Sequence, residues 1–106
     1  EAAVAAADLA AARVPLETAE KCLRVLHLAL LAAQKGNTNA VTDAGVAGLL
    51  AKAAGDGALW NVEINLKSIP ESADKEAILS GLQRLRAELQ LAAERCRETV
   101  QVAVNA

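Results

Sequence analysis

Residues 36–66 decide how this chain folds, and they read GNTNAVTDAGVAGLLAKAAGDGALWNVEINL. Most of the glycines and the only tryptophan lie here. The pattern predicts a helix from about Asp43, in which a turn of about 100° per residue puts Asp43 and Asn61 in phase and Asn65 within about 40° of them. The other residues on that side are small or apolar, namely Ala47, Leu50, Ala54, Gly57 and Ala58.

This predicted helix is apolar around most of its circumference, which indicates a central position in the fold. Trp60 is accordingly expected in the core. Asparagines buried beside such a helix must be hydrogen-bonded, because an unpaired buried amide costs about 1–3 kcal/mol. Two interpretations of the asparagines follow: they cap helices and tie segments together, or they line a ligand pocket.

The composition favours closely packed helices that bury a face against another molecule. Hydrophobic residues make up 54% of the 106 residues, yet aromatic residues only 1%, so Ala, Leu, Val and Ile must fill the interior. The length suits one domain spanning residues 1–106. With a mean hydropathy of +0.24, a lone bundle of this size would expose much apolar surface. This argues for burial against other copies or against further chain that is missing here, and we expect a homo-oligomer, a dimer or larger.

Charge and motif content argue against several classes of partner. A net charge of −2 provides no basic surface for nucleic acid or anionic lipid. No apolar run reaches the roughly 18 residues of a membrane span, and no secretory signal opens the chain. Cys22 and Cys96 read as isolated core thiols of a reducing compartment, which predicts a cytoplasmic protein. One histidine and two cysteines do not make a metal site.

The flanking segments predict further helices. Val14-Pro15 indicates a break, with an alanine-rich helix before it and a second helix from Pro15 to a cap at Gly36. Ser72 is expected to begin the last helix, where a near-heptad apolar repeat predicts a length of about 50 Å. That repeat consists of Ile78, Leu82, Leu85, Leu89, Ala92, Cys96 and Val100. Its charged residues are expected to form a solvated face with helical ion pairs.

The connection between the first helices carries the polar residues that could form a site. Thr42 or Asn39 can cap the next helix, and Asp43 lies in its first turn, where the helix dipole favours an acid. Four glycines within this helix cost about 1 kcal/mol each relative to alanine, so tight packing or a ligand must compensate. The lone His27 has no acid obviously placed to orient it, and we expect a packed or solvent-edge histidine.

These patterns predict an all-α fold, an antiparallel bundle of long helices, without a recognisable catalytic motif. No phosphate-binding glycine loop, GxSxG or HExxH is present. The chain begins at Glu1 and contains no methionine, which suggests a trimmed, cleaved or engineered sequence.

Three segments nevertheless resemble the cyclodeaminase/cyclohydrolase family of folate enzymes. They are VPLETAEKC at residues 14–22, GNTNAVTDAGVA at residues 36–47 and NVEINL at residues 61–66, in the family's order and at fitting separations. The resemblance covers nearly the whole chain but only the C-terminal part of the family's domain, since the Pro-Gly-Gly-Gly-Ser segment has no counterpart.

The resemblance implies an all-helical, dimer-forming enzyme that acts on one-carbon derivatives of tetrahydrofolate. Family members either close formiminotetrahydrofolate to methenyltetrahydrofolate with loss of ammonia, or open the methenyl ring with water. Neither reaction requires a metal or redox cofactor. Both need proton transfer at nitrogen and stabilisation of a cationic, tetrahedral centre, which are tasks for a carboxylate and amides.

On this resemblance, Asp43 is the candidate catalytic acid and Asn37 and Asn39 are expected to face the folate. Asn61 and Asn65 either line the pocket or support the helix junction. Trp60 is assigned to the core in preference to a stacking platform for the pterin. A different class stays open: a trimmed or engineered helical module that oligomerises without catalysis.

Overall fold

The computed structural model describes residues 2–106, which form three long helices joined by short connections. Helix α1 spans Ala2–Lys35, a 3-10 turn spans Thr38–Ala40, α2 spans Val41–Leu66 and α3 spans Ala73–Asn105. No strand occurs among these residues. The all-α fold class is therefore confirmed.

Helix α1 does not break at Val14-Pro15, so the prediction of two helices there is wrong. A proline inside a helix removes one N–H and leaves the carbonyl four residues earlier without its usual donor. Here that carbonyl belongs to Ala11, and the side-chain amide of Asn65 donates to it at 3.3 Å. Ala12 and Ala19 on either side are fully buried against the other helices, so tertiary packing holds the helix together.

The connection to α2 is capped differently from the prediction. The side chain of Asn37 accepts a hydrogen bond from the Asn39 amide at 2.9 Å and thereby opens the 3-10 turn. Ala40 stands at the N-cap of α2 without a side-chain hydrogen bond, so neither Thr42 nor Asn39 is the cap. Asp43 lies in the first turn of α2, as expected.

Helix α3 begins where the sequence predicts. The Ser72 hydroxyl accepts a hydrogen bond from the Lys75 amide at 3.1 Å, which caps the first turn. The heptad residues from Ile78 to Cys96 are buried, and Val100 is half-buried. The apolar face of α3 therefore packs on α1 and α2 along most of its length.

The core lies along the line where the three helices meet. Its largest fully buried side chains are Leu26, Leu59, Val62, Leu82, Leu85 and Leu89. Glycines of α2 allow close approach: a Cβ on Gly48 would lie 2.8 Å from the Cys96 sulfur, and one on Gly55 would lie 2.9 Å from Leu89. With Gly45, where a Cβ would lie 3.0 Å from Val100, three of the four helix glycines are thus explained by tight packing.

Helix α2 buries only one of its two apolar faces. Gly48, Ala51, Gly55, Ala58 and Val62 face the other helices and are buried. On the opposite side Trp60 is 71% exposed, so its assignment to the core is wrong. In a bundle of three helices, each helix buries one side against the other two. Helix α2 is therefore not buried on all sides, although its apolar composition predicted a central position.

Ion pairs join α3 to both other helices. Arg84 pairs with Glu20 of α1 and also, at 3.0 Å, with Glu88 one turn along α3. Arg86 pairs with Glu63 of α2. These side chains are about half exposed, so each pair contributes at most about 1 kcal/mol. The predicted solvated face with helical ion pairs is confirmed for Arg84, and it also ties the helices together.

The described part of the chain is long and narrow, with extents of 59 × 17 × 16 Å. Within residues 2–106, none of the helices combines the length and apolar character that crossing a bilayer requires.

Candidate functional site

The predicted site residues fall at opposite ends of α2. Asn37, Asn39 and Asp43 lie at its start, whereas Asn61 and Asn65 lie in its last two turns. Asp43 and Asn61 share a helical phase, but the 18 residues between them correspond to about 27 Å along the axis. One chain therefore does not gather these five residues into a single pocket.

At the start of α2, both asparagines and Asp43 are exposed. The Asn37 side-chain oxygen accepts the hydrogen bond that caps the 3-10 turn, so this residue has a capping role. Within residues 2–106, Asp43 enters no ion pair. Its carboxylate stands beside the first backbone amides of α2, where the positive end of the helix dipole favours it.

At the other end, Asn65 has a structural role and Asn61 is free to contact solvent. The Asn65 amide donates to the Ala11 carbonyl at 3.3 Å and to the Asn61 carbonyl at 2.8 Å, so it ties α2 to α1 beside Pro15. Asn65 is half-buried and Asn61 is exposed. Both line an open depression of about 450 Å³ against α1, which is too shallow to enclose a ligand.

A deeper groove lies between α2 and α3, close to the start of α2. Its volume is about 460 Å³, and its walls are mostly apolar. The lining residues are Thr42, Gly45, Val46, Gly48, Leu49, Ala93, Cys96, Arg97, Val100 and Gln101. We call this the α2–α3 groove. Thr42 is a lining residue, whereas Asp43, which points about 100° further round the helix, is not.

Glycine shapes the floor of this groove. A Cβ on Gly45 would lie 3.0 Å from both γ-methyl groups of Val100. Alanine at this position would therefore press on α3, and at Gly48 it would press on the Cys96 sulfur. The small residues keep α2 and α3 close beneath an open, apolar rim formed by Val46 and Leu49.

The polar groups of the α2–α3 groove come from both helices. Arg97 supplies a guanidinium that makes no ion pair within the described chain. Gln101 donates to Asn105 at 3.1 Å. Burial raises the pKa of the Cys96 thiol, which keeps it protonated at neutral pH and argues against a nucleophilic role. The groove can therefore bind an apolar, flat ligand that carries an anionic group.

Sequence reasoning missed the contribution of Arg97, Gln101 and Thr42. It placed Arg97 on the solvated face of α3 and gave Thr42 a capping role. A signal was present, because Arg97 and Gln101 each follow a heptad residue, Cys96 and Val100, that faces α2. Which polar residues border a groove depends on how far apart two helices lie, and this distance is a tertiary property.

The lone histidine lies away from this groove. His27 is exposed, as expected, and lines a small depression of about 210 Å³ together with Glu88 and Arg95. Within residues 2–106, no three histidine, cysteine or acidic side chains come together as a metal site would require.

Comparisons with known proteins identify the family. A sequence model of the formiminotransferase-cyclodeaminase family matches residues 1–84. The chain is also 42% identical over 92 residues to a methenyltetrahydrofolate cyclohydrolase of Methylorubrum extorquens. This alignment covers 87% of the chain and 44% of the relative, so the chain spans less than half of the relative's length. The chain belongs to the formiminotransferase-cyclodeaminase family.

Proposed function

We propose that this chain is the C-terminal part of a folate one-carbon enzyme and that it binds a reduced folate in the α2–α3 groove. The observation that carries the proposal is the 42% identity to a methenyltetrahydrofolate cyclohydrolase. The favoured reaction is accordingly the opening of the methenyl ring of methenyltetrahydrofolate by water. We further infer an antiparallel order of the helices, because Cys22 lies against Gly55 while Leu26, further along α1, lies against the earlier Gly48.

The groove has the chemical character that such a ligand needs. A pterin ring is flat and can lie on the apolar wall of Val46, Leu49 and Val100. A folate also carries carboxylates, and Arg97 offers a planar guanidinium that can bind a carboxylate through two parallel hydrogen bonds. With a carboxylate bound by Arg97, the rest of the folate would lie along the groove, which Thr42 also lines.

Asp43 is the group we assign to proton transfer. Ring opening requires water to attack the methenyl carbon, loss of a proton from that water, and cleavage of one C–N bond with protonation of the nitrogen. In this proposal the Asp43 carboxylate accepts the first proton and returns it to the departing nitrogen, and the second proton of the water is released to solvent as the formyl C=O forms. The asparagines at positions 37 and 39 lie in the connection that precedes α2, and we assign them to hydrogen bonds that their amide groups donate to the tetrahedral centre. Neither step calls for a metal or redox cofactor.

A second reaction is favoured by the name of the matching family. Formiminotransferase-cyclodeaminase indicates closure of formiminotetrahydrofolate with loss of ammonia. This reaction makes the same type of tetrahedral carbon and requires protonation of the departing nitrogen. The same Asp43 and groove would serve it, so assays with both substrates distinguish the two reactions.

The test is calorimetric titration of the chain with methenyltetrahydrofolate, followed by a turnover assay. Asp43→Asn is expected to lower turnover about 10²- to 10⁴-fold, since general acid-base catalysis contributes that much. Arg97→Gln is expected to weaken binding about tenfold or more through the lost charge-assisted hydrogen bonds. Asp74→Asn is the matched control, because Asp74 also lies in the first turn of a helix but at the far end of α3.

Saturable binding that Arg97→Gln weakens and Asp74→Asn leaves unchanged supports the site. Full turnover by the Asp43→Asn chain would remove Asp43 from the mechanism. A folded chain that does not bind either folate would contradict the proposal and favour the other class considered above, a helical module without catalysis.

A further inference from the structure

The length of the α2–α3 groove limits the size of the ligand that it can hold. On α3 the lining runs from Ala93 to Gln101, which is about 12 Å, and on α2 it runs from Thr42 to Leu49, which is about 10 Å. Arg97 lies midway along the α3 wall, one turn from either end. A carboxylate bound by Arg97 therefore leaves about 6 Å of groove on each side, which is room for one aromatic ring.

The two ends of the groove differ in polarity. Gly45 on α2 lies against Val100 on α3. Thr42, one turn before Gly45, therefore borders the same end of the groove as Gln101, which follows Val100. The opposite end, at Ala93, is lined by apolar side chains. A ring that extends from the central guanidinium thus meets hydrogen-bonding side chains only in the direction of Thr42 and Gln101.

The polar end of the groove offers hydrogen-bond acceptors. The side-chain amide of Gln101 donates to Asn105 at 3.1 Å, and within residues 2–106 its oxygen accepts no hydrogen bond. The hydroxyl groups of Thr18 and Thr99 donate to the carbonyl four residues earlier, whereas that of Thr42 makes no such bond in the same part of the chain. Thr42 and Gln101 are both exposed, so water satisfies them and an O–H or N–H group of a ligand can replace it.

These features together define a class of ligand. Arg97 makes no ion pair within the described chain, so its guanidinium is available for a carboxylate. We propose that the α2–α3 groove binds benzoic acids with a hydroxyl or amino group at the para position, such as 4-hydroxybenzoate. The carboxylate lies on Arg97 and the ring on the apolar surface of Val46 and Val100. The para group donates to the oxygen of Gln101 or Thr42.

A ligand of this class would compete with a reduced folate for the groove. Both would place a carboxylate on Arg97, and one guanidinium binds one carboxylate through two parallel hydrogen bonds. The groove also has room for only one ring on that side of Arg97. Competition rests on the proposed function, whereas binding of the aromatic acid itself does not.

The small size of the ligand sets the expected affinity. 4-Hydroxybenzoate has about ten non-hydrogen atoms, and the usual binding energy per atom then corresponds to a dissociation constant of about 1–10 mM. Nuclear magnetic resonance detects binding in this range, and the 106-residue chain is small enough for residue-specific spectra.

The experiment is a titration of the nitrogen-15-labelled chain with 4-hydroxybenzoate up to about 20 mM, which exceeds the expected dissociation constant. The expected result is a saturable shift of the amide signals of Gly45 and Gly48 and of the side-chain amide of Gln101. Gly57 is the internal reference, because it does not line the groove. The absence of a saturable shift at the groove, or an equal shift at Gly57, overturns the proposal.

Two related ligands separate the contributions of the polar groups. Benzoate lacks the para donor and should bind about 2- to 10-fold more weakly, because one hydrogen bond is lost. 4-Methylphenol has a methyl group in place of the carboxylate and should bind about tenfold more weakly or less. Equal affinity of either compound and 4-hydroxybenzoate contradicts the proposed ligand class.

Substitutions on α3 provide a matched comparison. Arg97→Gln should weaken binding of 4-hydroxybenzoate about tenfold or more and leave 4-methylphenol unaffected. Arg95→Gln is the control, since Arg95 also makes no ion pair within the described chain but lines the depression beside His27. Gln101→Leu should lower the affinity to that of benzoate. Equal weakening by Arg97→Gln and Arg95→Gln would indicate general charge attraction and overturn the proposal.

A last titration separates this proposal from the proposed function. With about 20 mM 4-hydroxybenzoate present, the apparent dissociation constant of methenyltetrahydrofolate should rise about threefold or more. Unchanged folate affinity, while the groove signals still report the aromatic acid, would support the aromatic-acid site and contradict the folate site. A chain that binds folate and shows no shift with 4-hydroxybenzoate would overturn this proposal and leave the proposed function standing.

Discussion

At the scale of single residues, two glycines of α2 that look equivalent in the sequence have different surroundings. A Cβ on Gly55 would lie 2.9 and 3.0 Å from the two δ-methyl groups of Leu89 and 3.3 Å from Cys22. A Cβ on Gly57, two residues further on, would meet nothing within 4 Å. Gly55 therefore permits the close approach of both neighbouring helices. Gly57 lowers helix stability, and no close contact within the described chain compensates for this.

This contrast predicts opposite effects of the same substitution. Gly57→Ala should stabilise the monomer by about 0.5–1 kcal/mol, because alanine loses less backbone entropy on forming a helix. Gly55→Ala gains the same helix term but must displace Leu89, and overpacking costs about 1–3 kcal/mol, so a net destabilisation is expected. Urea denaturation at low protein concentration measures both values.

The control for this pair is the cooperativity of unfolding. Equal denaturant slopes for both variants would indicate that the change is in stability and not in compactness. Stabilisation by Gly55→Ala would show that Leu89 moves aside freely and that the core near Gly55 is loosely packed.

At the scale of elements, α1 continues through Pro15 because another helix supplies what the proline removes. The Ala11 carbonyl, which would accept from residue 15 in an ordinary helix, accepts from Asn65 of α2. Asn65 is thus a positioning residue for α1, in agreement with the interpretation that it supports the helix junction.

A double-mutant cycle tests this link. Asn65→Ala should destabilise the chain by about 1 kcal/mol in the presence of Pro15, the usual contribution of a hydrogen bond to stability. In a Pro15→Ala background the backbone amide of residue 15 can bond to Ala11, so the cost of Asn65→Ala should fall by about half or more. Thermal or urea unfolding of the four proteins measures the coupling.

Asn61→Ala is the comparison for this cycle, since Asn61 is an exposed asparagine one turn earlier on α2. It should cost the same small amount with and without Pro15. An Asn65 effect that is independent of residue 15 would refute the proposed compensation.

At the scale of the whole molecule, the chain is more extended than a compact domain of its length. Its radius of gyration is 16.6 Å, compared with about 13 Å for a compact domain of about 100 residues. A narrow three-helix bundle encloses little volume, so many apolar side chains of all three helices stay exposed. Burial of this exposed apolar surface against other copies stays a prediction, which the shape of the protein in solution can test.

The expected oligomer makes a prediction about shape. Two copies joined side by side along their helices should have a maximum dimension closer to the 59 Å of one chain than to twice that length. Small-angle X-ray scattering at high and low concentration measures this dimension. A dimer about twice as long as the monomer would indicate contact through helix ends and would contradict the side-by-side arrangement.

Much of the fold could be predicted from local patterns, whereas the candidate site could be predicted only in part. The Ser72 cap, the heptad of α3 and the position of Asp43 are local features, and the structure confirms them. Four of the five predicted site residues are asparagines, and Asp43, Asn61 and Asn65 lie on similar sides of α2. Residues on the same side of a helix can nevertheless be far apart along its axis. The α2–α3 groove needs α3, which contributes Arg97, and no spacing within α2 could indicate that contribution.

The sequence by itself determined the all-helical class, the family, the start of α3 and its buried face, because propensity, capping and periodicity act within a few residues along the chain. The tertiary structure alone decided three other matters: that α1 survives Pro15, that Trp60 faces outward and that Asn65 supports α1 at the far end of α2 from Asp43. Each of these depends on which helix lies beside which. Hydrogen bonds and packing between residues 54 positions apart, such as Ala11 and Asn65, are set by the assembled bundle and not by local pattern.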